Sequence, residues 1–322
     1  FILRSRGCRH MLDQFPAVLR MMLNLRIRIN ILLQAIRLFL SVCLFRVSRL
    51  AQRQKNFFEG LLPEGFARKC VANWIHTSED DYLTILSVLG SECLGALRVS
   101  DNIHDSGDYK PLSIESVKAL AKEGVSKSTE LITEAHLSLT GASGKVGLYY
   151  DPERNMWYQP QGDAPSTHIV KQSHVRLSDI VTNEQLSLTA ASKLGISIPE
   201  SFIINTGAAR DDEILFATKR YDRVIPKNAA YINGLIRPFR LHQEDFAQAL
   251  GIPAYEKYEN GNKQYLLKAF QLLRNNVADP LTDQLKLWDM LIYDYLNCII
   301  GCIRWRMKRK RYMCLSRIRT LL

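Results

Sequence analysis

His136-Leu-Ser-Leu-Thr-Gly-Ala-Ser-Gly-Lys145, continued by Val146-Gly-Leu-Tyr-Tyr150 and, further on, by His168-Ile-Val-Lys171, is the stretch on which the fold of this 322-residue chain turns. The first block alternates apolar and polar residues, breaks at Gly141 and Gly144, and resumes as an apolar run, so it reads as strand, glycine turn, strand. Backbone amides in such a turn can approach a phosphate closely. A lysine on a following strand, Lys171 after Ile169 and Val170, stands where a kinase-type fold places its phosphate-pairing ammonium. The turn is not a Walker A loop, because Gly141-Ala-Ser-Gly-Lys145 lacks the four-residue gap and the following Ser or Thr.

Working outward, Asp151-Pro-Glu-Arg-Asn155 has turn chemistry between Tyr150 and Trp157. Beyond Lys171, Asn183-Glu-Gln-Leu-Ser-Leu-Thr-Ala-Ala-Ser-Lys-Leu-Gly195 reads as a helix, capped by Thr182 or Asn183 and stopped by Gly195. Glu184 opens it and has two readings of equal weight. It is the partner of Lys171, as a helix glutamate is in protein kinases, or a carboxylate that favours a helix N-terminus. Ile214-Leu-Phe-Ala-Thr-Lys-Arg-Tyr-Asp-Arg223 is an apolar strand with a charged exit. After it the pattern is expected to turn helical, over 243–250, 265–274 and 285–300. The last of these puts Trp288, Leu291, Ile292, Tyr295, Leu296 and Ile299 on one apolar face, which reads as core. Upstream, 106–135 is expected to be a polar connector with one helix over 113–122 capped by Ser113. Leu83, Leu86, Leu89 and Leu94 read as a packing helix that ends near Gly95.

Charge separates the ends from the middle. Residues 1–50 hold nine Arg, no Lys and one acid, Asp13, and residues 301–322 hold eight basic residues and no acid. The formal net charge of +11 is therefore +16 at the ends and −5 between them. Basic arms suit nucleic acid or an anionic surface. Arginine without lysine, mixed with Cys8, Cys43, Cys302, Cys314 and Trp305, is also the composition of a coding region translated out of frame, and frame disruption is the expectation for both ends. Residues 31–45 are apolar but contain Arg37 and fall short of the roughly twenty residues a membrane span needs. None of the seven cysteines forms a Cys-x-x-Cys pair, and Cys298 with Cys302 has no second pair at zinc-finger spacing, so free thiols in a reducing cytosol are expected.

Several further words, in order, carry a family resemblance: Phe57-Phe-Glu-Gly-Leu-Leu-Pro-Glu-Gly65, Ser166-Thr-His-Ile-Val-Lys171, Ala191-Ser-Lys-Leu-Gly-Ile-Ser-Ile-Pro-Glu200, Lys219-Arg-Tyr-Asp-Arg223 and Leu241-His-Gln-Glu-Asp-Phe-Ala-Gln-Ala-Leu-Gly-Ile-Pro253. With Ser138-Leu-Thr-Gly-Ala-Ser-Gly-Lys145 they make the chain resemble the HipA family of serine/threonine kinases, toxins of bacterial toxin–antitoxin pairs, over roughly 46 to 300. The resemblance implies an α+β, protein-kinase-like fold with a β-rich N-terminal lobe, its glycine-rich loop, and an incomplete α-helical C-terminal lobe. The expected divisions are a leader over 1–45, the N-terminal subdomain and connector over 46–135, the nucleotide-binding lobe over 136–223, the start of the helical lobe over 224–300, and a basic tail over 301–322.

By the same resemblance, Thr140, Gly141, Ala142, Ser143, Gly144 and Lys145 contact ATP, although Ser143-Gly144 stands where relatives commonly carry Gln-Glu or Gln-Ser. Ser138 matches a serine that family members phosphorylate on themselves. Lys219 and Tyr221 fall on the adenine-binding hinge, where relatives often have Glu and Phe. Implied cofactors are ATP and Mg2+. Implied partners are a HipB-like DNA-binding antitoxin, through which any DNA contact is indirect, and a protein substrate such as an aminoacyl-tRNA synthetase, all in the cytoplasm and away from membranes. Intact relatives carry Asn-x-Asp-x-His-x-x-Asn after the helix that ends here at Gly301. This chain has Cys302-Ile-Arg-Trp-Arg-Met-Lys308, and 301–322 contain no Asp, Glu, Asn or His. With neither base nor metal ligands there, no catalytic or metal residue is nominated and the chain as written is expected to be inactive. A noncatalytic remnant that binds an antitoxin or nucleic acid is the alternative.

Overall fold

A computed structural model describes residues 47–99, 106–113, 115–117, 145–172, 179–204, 214–258 and 263–297, together with the backbone of 300–301, 304–308, 312–315 and 320–321. The fold is α+β. Helices α1 (Val47–Glu59), α2 (Gly65–Trp74) and α3 (Tyr82–Leu89) come first. Strands β1 (Asp108–Leu112), β2 (Lys145–Asp151), β3 (Met156–Gln161), β4 (His168–Gln172), β5 (Ser201–Ile204) and β6 (Leu215–Lys219) form one antiparallel sheet in the order β1-β3-β2-β4-β6-β5. Helix α4 (Ile180–Lys193) lies between β4 and β5 in sequence.

Alternation along the strands decides which side chain meets which layer. On β6, Leu215 and Ala217 join Leu61, Leu62, Ile85, Leu86 and Leu89 in the core beneath α1 to α3, while Phe216 turns the other way and packs with Val181 and Leu188 of α4. A strand covered on both faces has to be apolar throughout, and Leu215-Phe-Ala217 is. Val170 of β4 and Val146 of β2 belong to the first layer. Lys171 and Lys145, one residue along, therefore belong to the α4 side.

The structure corrects several expectations. The connector 106–135 contains a strand, β1, that pairs with β3; Pro111 masks it in sequence, but at the sheet edge a missing N–H is tolerated. Ser113 does accept from Ser116 N at 3.1 Å, capping helical residues 115–117; the rest of that helix lies outside the described residues. Helix α3 stops at Gly90 rather than near Gly95, and Leu94 is buried in the loop beyond it. Helix α4 starts at Ile180, with Asp179 (φ +60°) at the cap position in place of Thr182 or Asn183; Gly195 (φ +79°) does close it. Glu184 is thus the fifth helical residue, past the first turn in which a carboxylate gains from the helix dipole.

Past β6 the chain is not helical at once but forms β7 (Arg223–Val224), β8 (Ala230–Ile232), β9 (Leu235–Arg237), β10 (Phe239–Arg240) and β11 (Gln243–Asp245). β8 and β9 are a hairpin closed by Asn233-Gly234, both at positive φ, as a two-residue turn of mirror-image type demands. Helix α5 (Phe246–Leu250) follows, with Asp245 and Gln248 forming a reciprocal capping box, so the stretch 243–250 is half strand. The last helices are α6 (Tyr265–Asn276) and α7 (Pro280–Leu296). α7 begins five residues before the expected 285, because Asp279 caps it and Pro280 suits its first turn. Its buried face is Leu287, Met290 and Tyr293, with Asp283 and Asp294. The face expected to be core is largely outside: Trp288, Ile292, Tyr295 and Leu296 are exposed, Leu291 is only partly buried, and Ile299 lies outside the described residues. With Leu281 and Leu285 they form an exposed stripe along the helix, and Phe270 packs against it with its ring centre 5.2 Å from that of Trp288.

Beyond α7 the described backbone is strand: β12 (Ile300–Gly301), β13 (Arg304–Lys308), β14 (Tyr312–Leu315) and β15 (Thr320–Leu321), with β13 pairing β11. Among the described residues no helix is long and apolar enough to cross a membrane; the segment 31–45 lies outside them.

Candidate functional site

β4 and α4 bring two expected site residues together. Lys171 is buried and its ammonium donates to Glu184 Oε1 across the space between strand and helix. The ammonium also sits 5.4 Å above the ring of Phe216, its cross-strand neighbour on β6. Lys145, the first residue of β2, is directly opposite Lys171 in the antiparallel ladder and is buried as well. Cross-strand partners share a face, and like charges placed opposite each other are unfavourable without an anion to join them. The two lysines lie side by side at one end of the sheet, with Glu184 as the carboxylate beside Lys171. Thr140, Gly141, Ala142, Ser143 and Gly144, and Ser138 before them, lie outside the described residues.

The other expected residues lie at the opposite end of β4. Lys219 pairs with His168 in the ladder, three residues from Lys171, hence about 10 Å away. Its side chain is exposed and meets Glu200 Oε2 at 2.8 Å. Tyr221 follows in the turn after β6 and its hydroxyl donates to Gln243 Oε1 of β11. His168 is buried against Tyr150, Trp157 and Phe202, with Thr167 Oγ1 2.8 Å from its Nδ1. Burial first, and Lys219 second, lower its pKa to about 4.

Behind this turn is a group of buried charges that sequence reasoning missed. Arg220 is 1% exposed, and its guanidinium forks onto Asp222, at 2.9 Å to Oδ1 and 2.7 Å to Oδ2. Glu92, from the loop after α3, lies 3.2 Å from Arg220, 2.8 Å from Arg223 and 2.6 Å from Arg240. Burial alone would raise the Glu92 pKa, but Arg223, Arg240 and Arg220 outweigh it and hold the carboxyl at about 2. Asp222 is likewise held far below the ordinary range by Arg220 and Arg223 against its burial. Cys93, beside Glu92, is a buried thiol raised by burial to about 12. The signal in sequence was Glu92 itself, a lone acid within Val88-Leu-Gly-Ser-Glu-Cys-Leu-Gly-Ala96, since a charge in an apolar run is buried only when paired. His242, Glu244 and Asp245 have structural partners: His242 Nε2 is 3.0 Å from Glu244, and Asp245 caps α5. Among the described residues no group of three or more His, Cys, Asp or Glu is arranged to hold a metal ion.

A family described as the HipA-like C-terminal domain matches residues 137–299, just over half of the chain, and the HipA N-terminal domain matches 35–100. The chain belongs to the HipA family. This HipA-family chain is 30% identical over 257 residues to Y4mE, a kinase candidate of Sinorhizobium fredii, covering 77% of the chain and 57% of that protein. A second kinase candidate of that organism, Y4dM, is 26% identical over 215 residues, covering 64% and 47%. The chain thus spans about half the length of these relatives. Its fold is also that of the HipA chain solved in the Shewanella oneidensis HipA, HipB and operator DNA complex of a toxin–antitoxin system, with a TM-score of 0.63 at 18% identity over 83% of this chain and 63% of that one.

Proposed function

We propose that this HipA-family chain carries the nucleotide-binding portion of a serine/threonine protein kinase and binds ATP with Mg2+, without itself transferring phosphate. The observation that supports this most is the buried ion pair of Lys171 and Glu184, a strand lysine held by a helix glutamate, with Lys145 across the ladder. In this reading Lys145 and Lys171 take the phosphates, with Thr140, Gly141, Ala142, Ser143 and Gly144 as the covering loop. The backbone of residues 219–221 takes the adenine, and Ser138 is the position that the full-length kinase would phosphorylate on itself. Bound ATP supplies the phosphoryl group. Phosphoryl transfer also needs a base and metal ligands, and residues 301–322 offer no Asp, Glu, Asn or His for either task. The natural setting of the reading is the cytoplasm, with a HipB-like antitoxin as partner and a protein such as an aminoacyl-tRNA synthetase as the substrate of the full-length kinase. A noncatalytic remnant that binds an antitoxin or nucleic acid is the second reading, favoured by the complex of the Shewanella oneidensis HipA with HipB and operator DNA.

Calorimetric titration of the folded chain with MgATP tests the first reading. Binding is expected, with a loss of at least about tenfold in Lys171→Met, since removing one partner leaves Glu184 buried alone. A folded chain that binds no nucleotide overturns the site assignment. Robust transfer of labelled phosphate overturns the expected inactivity.

A further inference from the structure

The turn that leaves β6 is held less by the sheet than by the N-terminal helical region behind it. The sheet side supplies Lys219 N to Glu200 O and Arg220 N to Thr167 O, and the β10 side adds Leu241 N to Asp222 O, all at 2.8 Å. From behind, Glu92 Oε1 accepts from Ser166 N at 2.9 Å, Ser166 Oγ at 3.0 Å, Arg220 Nη1 at 3.2 Å and Arg223 Nη2 at 2.8 Å. Gly95 N donates to Asp222 Oδ2 at 2.7 Å, and Gly95 O accepts from Arg223 Nη1 at 3.0 Å. Both arginines also reach Cys93 O at 3.2 Å. Gly95 sits at φ +78°, where a Cβ would come within 2.9 Å of Gln243 N, so the close approach of this loop requires glycine.

Arg220 and Arg223 lie three residues apart in one turn, inside the protein, where a guanidinium cannot shed its charge. Their mutual repulsion there is set against Asp222, which belongs to the turn, and Glu92, which does not. We propose that Glu92 is a positioning residue for the base-binding end of the nucleotide site, fixing residues 219–223 so that their backbone N–H and C=O groups present one geometry to an adenine. This deepens the reading above and rests on its assignment of adenine to this turn. The phosphate end is separate: among the described residues Glu92 bonds Ser166, Arg220, Arg223 and Arg240, and not Lys145, Lys171 or Glu184. Glu92 therefore governs the choice of base and leaves the grip on the phosphates alone.

The test uses the full chain and three probes, MgATP, MgGTP and magnesium tripolyphosphate, titrated into wild type, Glu92→Gln and Lys171→Met, with thermal melting run alongside to confirm folding. Wild type is expected to prefer ATP to GTP. Glu92→Gln should keep its tripolyphosphate affinity, weaken ATP by about tenfold and bring the ATP-to-GTP ratio close to one, because a displaced hydrogen-bonding edge loses its discrimination. Lys171→Met should weaken all three probes and keep the ratio. A folded Glu92→Gln that retains the wild-type ratio overturns the proposal, as does one that weakens all three probes equally. Should Glu92→Gln melt below the assay temperature, Arg223→Lys keeps the charge but loses the fork, and an unchanged ratio there overturns it equally. Wild type that binds tripolyphosphate and ATP alike removes the base-binding turn, and the proposal with it. Wild type that binds none of the three removes the nucleotide reading itself.

Discussion

The turn behind β6 and the outer face of α7 invert each other. At the turn, Arg220, Arg223, Arg240, Glu92 and Asp222 are enclosed and almost dry; on α7, side chains as apolar as Leu281 and Tyr295 stand 69% and 84% exposed. Polarity alone predicts the opposite in both places. What decides is the presence of a partner: each guanidinium at the turn finds a carboxylate or a carbonyl, while the α7 stripe stays exposed among the described residues. Charges survive burial when compensated, and apolar faces are core only when something covers them.

The sharpest way to break this contrast is to remove the compensation. Glu92→Ala leaves Arg220, Arg223 and Arg240 short of their shared acid and is expected to cost about 3–5 kcal/mol, read from urea unfolding. A loss under about 1 kcal/mol would mean that water enters the network freely.

Asp294 comes next. It lies on the buried face of α7, and its Oδ1 has no hydrogen-bond partner among the described residues. Burial raises its pKa from the ordinary 3.8 to about 7. The unfolded carboxyl ionises first as pH rises, so the native state binds the extra proton, and stability falls between pH 4 and 7 and is level above. Asp294→Asn should therefore gain about 3 kcal/mol at pH 8 and almost nothing at pH 3.5, measured by thermal melting at both.

His168 has the opposite sign. Its native pKa of about 4 lies below the ordinary 6.5, so the unfolded state takes up the proton first and stability falls as pH drops from 6.5 towards 4. About 2 kcal/mol should be missing at pH 5, and His168→Phe should flatten that part of the curve. The smallest effect belongs to the stripe. Leu285→Lys with Ile292→Lys should change stability by less than about 0.5 kcal/mol, read from urea unfolding. A larger loss of stability would show that the stripe is covered in solution.

How far sequence reasoning reached follows the range of the contacts. Lys171 and Glu184 were legible because strand alternation and a nearby helix fix them within 13 residues of each other. The turn at Asp151-Pro-Glu-Arg-Asn155 was legible for the same reason: Asp151 Oδ1 accepts from Glu153 N at 3.0 Å and Asn155 adopts positive φ. Asn233-Gly234 and Asp279-Pro280 were written just as locally, and reading the region after β6 as helical passed over both. Glu92 was not legible, since its meaning depends on arginines 128 and 131 residues away. The face of α7 misled because periodicity shows that a helix has an apolar side and says nothing of what lies against it.

The turn ties together two parts of the chain that its sequence keeps apart. Sequence families divide it into an N-terminal unit over 35–100 and a C-terminal unit over 137–299, as if two modules were strung together. The grip of residues 92–95 on residues 220–223 crosses that seam at its most heavily charged point. Excising the first unit would take their shared acid from Arg220, Arg223 and Arg240 inside the second, and expressing the first alone would leave Glu92 without these three partners. The seam is therefore a mark of ancestry in the sequence and a poor place to cut: the smallest piece with this turn intact contains both.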